Sequence, residues 1–144
     1  MTAKFSCREI SPGIVEGQVL RSEDQILFYH TEPATGIVTE HGHSLEGVSV
    51  RDRILVFPGG KGSSVVQMDG LYKLELRQAA PLAFIVEEPD TVLVSCAIIM
   101  GLPMVDQVDP AFYQNVKNGD WVRVDTGNQT IEIVPGPCKT NKNT

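Results

Sequence analysis

The residues best suited to chemistry lie in one short loop, GGKGSS at positions 59–64, which Pro58 separates from the apolar run Ile54–Phe57. If a strand enters this loop and a helix leaves it, several backbone N–H groups converge at the start of the helix. Their partial positive charges stabilise an anion placed there. Lys61 adds a full positive charge. The loop therefore predicts a site for an anionic group or for a stabilised serine hydroxyl.

Two common phosphate-binding motifs do not fit the spacing of this loop. The Walker A pattern, GxxxxGK[ST], requires the lysine to stand directly before the hydroxyl residue, whereas Gly62 separates Lys61 from Ser63. The dinucleotide-binding pattern GxGxxG is not present in GGKGSS either. The spacing therefore argues against a nucleotide as the ligand of this loop.

Two interpretations of Ser63 remain open. In the first, the glycines only permit a tight turn and Ser63 is the N-cap of the following helix. In the second, Ser63 is a general base or nucleophile whose alkoxide is stabilised by the converging N–H groups and by Lys61. No histidine is close enough in sequence to activate it as in a catalytic triad. The three histidines, His30, His41 and His43, lie in earlier loops and are each more typical of structural residues.

Composition and charge limit the class of protein. The chain has 144 residues, enough for one domain with one core, and a formal net charge of −6. Such a charge argues against nucleic acid or an anionic membrane as the main partner. No run of about 18 apolar residues is present to span a bilayer. The first ten residues, MTAKFSCREI, lack the apolar segment of a secretion signal, so we expect a cytoplasmic protein.

The cysteines do not suggest a disulfide framework or a metal site. Cys7, Cys96 and Cys138 are odd in number and widely spaced. Cys96 lies in the apolar run VLVSCAIIM and is expected to be a small buried residue.

The pattern of apolar and turn residues predicts a mixed α/β domain. Buried strands alternate with helices in the middle of the chain, and antiparallel pieces lie at both ends. This order indicates a compact β/β/α barrel-like fold rather than a doubly wound sheet. We expect one domain over residues 1–134 and a frayed tail over 135–144. Strands are expected at 4–8, 13–22, 36–39, 54–57, 81–89 and 102–106, helices at 64–78, 91–100 after an Asp90 cap and from Asp109-Pro110, and a hairpin at 121–134.

Four segments, taken in order, resemble the small swivel subunit of the aconitase X family. They are SPGIVEGQVLRS, PATGIVTEHGHSLEG, RILVFPGGKGSS and VEEPDTVLVSCAIIMGLPMVD, and the resemblance covers residues 5–134. The combination of FPGGKGSS with the later EP and PMVD residues makes the resemblance specific. It implies an α/β mixed, swivelling β/β/α barrel-like domain that closes over an iron–sulfur cluster held by a larger partner.

The resemblance also implies roles for the loop residues. Ser63 would be the catalytic base and Ser64 would orient it or bind substrate. Gly60 and Gly62 would allow close backbone approach, and Lys61 would pair with a carboxylate. The family's reactions are dehydrations of a β-hydroxy acid, in which iron acts as the Lewis acid.

Two substrates are known for the family, cis-3-hydroxy-L-proline in bacteria and mevalonate 5-phosphate in archaea. The isoelectric point near 5.0, the three cysteines and the absence of a lysine-rich surface look mesophilic, which favours the bacterial substrate, cis-3-hydroxy-L-proline. Aconitases proper have an arginine directly after the serine pair, where this chain has Val65, so tricarboxylates are not expected. Two further departures from the family pattern are Cys96, where a smaller residue such as glycine is expected, and Gly70, which interrupts a helix that is usually stronger.

A chain with one serine loop and no clustered cysteines would be half of an active site. The resemblance therefore implies a hydro-lyase subunit that is inactive alone and that works as a heterodimer with a large subunit. The large subunit would carry the iron–sulfur cluster, and this chain would bind no metal of its own.

Two alternatives interpret the same sequence differently. ISPGIVEG, MGLPMVD and NGDWVRVD also resemble the phosphohistidine swivel domain of phosphotransfer enzymes. Alignment of Gly101-Leu102-Pro103 with that domain, however, puts Val92 where the phosphorylated histidine would stand, and valine cannot accept a phosphoryl group. The other alternative is a non-catalytic binding or regulatory domain, which replacement of Ser63 would distinguish.

Overall fold

The computed structural model describes residues 3–136. Within this range the chain forms eight strands and three helices. The strands are β1 (Ala3–Ser6), β2 (Arg8–Ser11), β3 (Ile14–Arg21), β4 (Arg53–Phe57), β5 (Ala83–Val86), β6 (Met104–Asp106), β7 (Trp121–Asp125) and β8 (Thr130–Val134), and the helices are α1 (Ser64–Leu76), α2 (Thr91–Met100) and α3 (Pro110–Asn115).

All eight strands belong to one sheet that is curled into a barrel-like shape. Their order is β1-β8-β7-β3-β4-β5-β6-β2, so β1 and β2 are the two edge strands. Only Cys7 separates β1 from β2 in the chain, which keeps their facing ends within about 7 Å of each other. A flat sheet of eight strands would put its edges roughly 30 Å apart. The sheet must therefore curl, and the predicted β/β/α barrel-like arrangement is confirmed.

The curled sheet separates two apolar clusters. The inner cluster contains side chains from every strand except β2, together with Phe112 of α3. The outer cluster lies between the sheet and the helices α1 and α2. Along β4, Ile54 and Val56 belong to the inner cluster, whereas Leu55 and Phe57 belong to the outer one. This alternation explains why the predicted strand at 54–57 is apolar on both faces.

The helix boundaries follow the predicted capping residues. The Asp90 side chain accepts a hydrogen bond from the Leu93 N–H at 3.1 Å, and Gly101 ends α2 in the left-handed conformation with φ of 71°. Asp109 likewise accepts a hydrogen bond from the Ala111 N–H, with Pro110 in the first turn of α3. The hairpin predicted at 121–134 is the β7–β8 pair.

Two strand predictions are wrong in detail. The segment 4–8 is split at Cys7 into two strands that pair at opposite edges of the sheet. The segment 36–39 forms no strand, because Ile37 and Val38 make only isolated bridges to three different residues. The long connection between β3 and β4 instead satisfies its backbone groups through turns.

The expected frayed tail lies largely outside the described residues, since positions 137–144, including Cys138, are not among them. No helix within residues 3–136 is long and apolar enough to cross a bilayer.

Candidate active site

The glycine loop, defined here as residues 58–63, connects the carboxyl end of β4 to α1. Gly62 has φ of 89°, in the left-handed region that favours glycine. A Cβ at Gly62 would lie 2.9 Å from the Leu27 side chain, and one at Gly60 would lie 2.7 Å from the Gln67 amide nitrogen. Both glycines therefore permit close packing against the chain itself. Their predicted contribution to substrate binding remains a prediction.

Ser63 and Ser64 are both exposed at the N-terminus of α1. Ser63 occupies the N-cap position with an extended backbone, and its carbonyl accepts a hydrogen bond from the Gln67 N–H at 3.0 Å. Its hydroxyl, however, makes no capping hydrogen bond. The first N–H groups of α1 therefore have no partner within the helix or from its cap. Ser63 takes the position of a cap, but its hydroxyl is left available for another role.

Lys61 is already paired within the chain. Its ammonium group donates a hydrogen bond to Oε2 of Glu40 at 2.6 Å, and the two side chains are 35% and 26% exposed. The pair borders a cleft of about 240 Å³ that also contacts Asp24 and His41. The Ser44 N–H donates to Asp24, and this hydrogen bond is the main reason why the pKa of Asp24 lies below its usual value. An anion that binds Lys61 must therefore compete with Glu40 beside other acidic groups.

His43 is a structural residue rather than a partner for Ser63. It is buried, and its Nδ1 accepts a hydrogen bond from the Leu45 N–H at 3.0 Å. The proton therefore resides on Nε2, which donates to the Gln25 carbonyl at 2.8 Å. Both ring nitrogens are thus engaged with the backbone. His30 and His41 are exposed, and His41 lies 3.5 Å from Glu46. Within residues 3–136, no hydrogen bond joins a histidine to Ser63.

Gln67 supports the glycine loop from behind and was not identified in the sequence. It is fully buried, and its amide oxygen accepts a hydrogen bond from the Phe28 N–H at 2.7 Å. Its amide nitrogen donates to the carbonyls of Ile26 at 3.1 Å and Lys61 at 3.4 Å. Its spacing in the sequence could have revealed it, because Gln67 lies one helical turn before Leu71 and so shares the buried face of α1.

The described residues do not fit an iron–sulfur cluster. Cys7 belongs to the inner cluster and Cys96 to the outer one, and both are buried. No three His, Cys, Asp or Glu side chains between residues 3 and 136 come together as a metal site. Burial raises the pKa of Cys7 to about 11 and also raises that of Cys96, which disfavours the thiolate that binds metals.

The two described thiols are accordingly expected to be unreactive in the folded chain. The raised pKa of Cys7 lowers its thiolate fraction at pH 8 about 100-fold relative to an ordinary cysteine, and burial blocks access as well. In a Cys138→Ser background, mass spectrometry should detect almost no alkylation by iodoacetamide until urea unfolds the protein. Rapid labelling of Cys7 in the folded chain would contradict this assignment.

A curled sheet whose glycine loop presents a serine at a helix N-terminus is the arrangement expected of a barrel-like swivel domain. A sequence profile of the aconitase X swivel domain matches residues 4–133 of this chain. The chain therefore belongs to the aconitase X swivel-domain family, and the resemblance inferred from its motifs is confirmed.

Individual relatives agree with this assignment over nearly the whole chain. The phosphomevalonate dehydratase small subunit of Methanococcoides burtonii is 39% identical over 135 residues, which are 93% of this chain and 98% of the relative. The protein of the same name from Methanosarcina mazei is 42% identical over 132 residues, 91% of each chain. A crystal structure of Thermococcus kodakaraensis aconitase X in its holo form has a TM-score of 0.82, with 40% identity, and covers 92% of this chain and 99% of its own.

Proposed function

We propose that this chain is the small subunit of a dehydratase of the aconitase X type that acts on mevalonate 5-phosphate. The main structural support is the exposed hydroxyl of Ser63, which does not cap the helix where it stands. The names of relatives at 39% and 42% identity favour the phosphorylated acid. They reverse the preference that composition suggested, and cis-3-hydroxy-L-proline becomes the alternative substrate.

In this proposal Ser63 is the base of the reaction. The C–H bond next to the substrate carboxylate breaks, its proton passes to the Oγ alkoxide of Ser63, and a C=C bond forms as the adjacent carbon loses its hydroxyl group as hydroxide. The iron–sulfur cluster of the large subunit would supply the Lewis acid for that hydroxide. A serine hydroxyl is a weak base unless its alkoxide is stabilised. The unpartnered N–H groups in the first turn of α1 can supply that stabilisation, together with the dipole of this helix of 13 residues.

The other loop residues take supporting roles. Lys61 would release Glu40 and bind the carboxylate of the substrate in its place. Ser64 would bind or orient the substrate beside Ser63. The N–H of Gly60 donates to Asp90 at 3.2 Å, so it is not available to a ligand. Gly60 and Gly62 would therefore contribute through the shape of the backbone rather than through additional hydrogen bonds.

The exposure of Ser63 also argues for a partner. A base at an open surface reacts in water, whereas closure of a second chain over it would exclude water and strengthen the electrostatic interactions. We propose that a large subunit provides this closure as a heterodimer and holds the iron–sulfur cluster. The small chain alone would be inactive. A cytoplasmic location remains the expectation.

The test is an assay of the complex with its large subunit, co-expressed and purified together. We expect the complex to dehydrate mevalonate 5-phosphate with a kcat/KM at least 100-fold above that for cis-3-hydroxy-L-proline, corresponding to about 2.7 kcal/mol of transition-state discrimination. The isolated small chain should convert neither acid. A reversed preference would establish the alternative substrate, and activity of the small chain alone would refute the proposal of a shared site.

A further inference from the structure

We propose that Asp90 is a positioning residue that holds the glycine loop in place, beyond its role as the cap of α2. Its importance for the reaction depends on the proposed function of Ser63. Its effect on the loop can be measured separately. The sequence predicts only the capping role, because Gly60 lies 30 residues away in the chain.

The two carboxylate oxygens of Asp90 serve two different elements. Oδ2 accepts a hydrogen bond from the Leu93 N–H at 3.1 Å, which caps α2. Oδ1 accepts one from the Gly60 N–H at 3.2 Å, which ties the loop to the same helix. Hydrogen bonds to an ionised carboxylate are stronger than bonds between neutral groups. A single side chain thus fixes the loop against the start of α2.

Packing around Gly60 makes this contact specific. A Cβ on Gly60 would lie 3.2 Å from Oδ1 of Asp90 and 3.3 Å from Cβ of Leu93. On the other side, the Gln67 amide donates to the carbonyl of Lys61. Gly60 is therefore held by Asp90 at the start of α2, and Lys61 is held by Gln67 of α1. These two residues directly precede Gly62 and Ser63.

Ser63 itself lacks such a tether, because its hydroxyl makes no capping bond. Its placement depends on the backbone that precedes it and on the helix that follows. Loss of the bond between Asp90 and Gly60 would release one of these supports. A displacement of about 1 Å at a reacting group can lower the rate by about 100-fold without changing the chemistry.

The substitution Asp90→Ser separates the two roles of the residue. Serine is also a good N-cap, so α2 keeps its cap. Its one side-chain oxygen can occupy only one of the two positions from which Oδ1 and Oδ2 of Asp90 accept from Gly60 and Leu93. The matched control is Asp109→Ser, the same change at the cap of α3, where the side chain accepts a hydrogen bond from Ala111.

Two measurements are made on each variant. In the isolated chain, NMR-detected exchange of the Gly60 amide with D₂O should be at least 10-fold faster in Asp90→Ser and unchanged in Asp109→Ser. In the complex with the large subunit, kcat for mevalonate 5-phosphate should fall about 30-fold to 100-fold in Asp90→Ser, with KM changed less than 3-fold. Because Asp90→Ser also loses the hydrogen bond to Gly60, its melting temperature should fall further than that of Asp109→Ser.

Unchanged exchange of Gly60, or equal losses of kcat in both variants, would overturn the role of Asp90. If the wild-type complex shows no dehydratase activity, the proposed function fails, whereas Gly60 exchange still decides whether Asp90 holds the loop. Should Asp90→Ser not fold, Asp90→Asn takes its place. Asparagine keeps one acceptor oxygen and places an NH2 group, which cannot accept, in the other carboxylate position. Accelerated exchange of Gly60 or Leu93 is therefore expected, and protection of both would overturn the proposal.

Discussion

Replacement of Ser63 by alanine is expected to lower kcat of the complex for mevalonate 5-phosphate by about 1000-fold, within the range for loss of a positioned base. The substitution removes only Oγ, the atom proposed to take the proton. Because Ser63 is exposed and its hydroxyl caps nothing, the free energy of unfolding should change by less than about 0.5 kcal/mol. Steady-state rates of the complex and urea unfolding of the isolated chain measure these two quantities.

The neighbouring Ser64→Ala variant is the matched control. Ser64 is also exposed, but it stands in the first turn of α1 rather than before it. We expect a smaller loss, about 10-fold in kcat/KM and mainly in KM, since its proposed role is to bind or orient the substrate. Full activity of Ser63→Ala in a complex that still assembles would leave this chain a binding or regulatory domain without a catalytic residue.

Local rules were sufficient for most elements of the fold. The Asp90 and Asp109 caps, Pro110 and Gly101 marked the helix ends correctly, since each acts on groups within a few residues of itself. The continuous apolar run at 54–57 identified a strand buried on both faces, because alternate side chains point to opposite faces and all four are apolar. The glycine loop could be placed between a strand and a helix because both neighbours were predicted correctly.

The failures all involve partners that are distant in sequence. The segment at 36–39 has the β-branched residues of a strand, but the fold gives it no continuous neighbour with which to pair. The division at Cys7 arises because β1 and β2 complete opposite edges of one sheet, which composition cannot reveal. Strand pairing is set by tertiary packing, so periodicity alone did not predict it.

The same limit applies to the site. The sequence singled out Ser63 and Lys61 by residue type and spacing, but not the contacts that hold them. Glu40 lies 21 residues before Lys61, and Asp90 lies 30 residues after Gly60. Gln67 looked like an ordinary polar residue of a helix, although it is fully buried and bonded to three backbone groups. Such supports become visible only when the fold brings them together.

Gly70 illustrates how a weakness in the sequence can be a requirement of the structure. Glycine within a helix costs about 1 kcal/mol relative to alanine, so Gly70 looked like a defect of α1. A Cβ at this position, however, would lie 2.3 Å from the carbonyl carbon of Phe28 and from the nitrogen of Tyr29. The helix crosses this stretch of main chain so closely that no side chain fits between them.

The Gly70→Ala variant is therefore expected to be less stable than the wild type by about 3 kcal/mol or more, despite the better helix propensity of alanine. The main chain at Phe28 has little freedom to retreat. Its N–H is held by Gln67, and its ring is fully buried and stacked on Phe84 with centroids 5.4 Å apart. In thermal unfolding of the isolated chain, this loss corresponds to a fall in Tm of about 10 °C.

The matched control is Gly127→Ala. Apart from the two adjacent residues, the described part of the chain brings only Oδ1 of Asp125 within 4 Å of the added Cβ, at 3.8 Å. Its Tm should remain within about 2 °C of the wild type. A Gly70→Ala protein as stable as the wild type would mean that α1 can move away from Phe28 at no cost. Because Ser63 stands at the start of the same helix, such freedom would also remove the rigid support on which the proposed base depends.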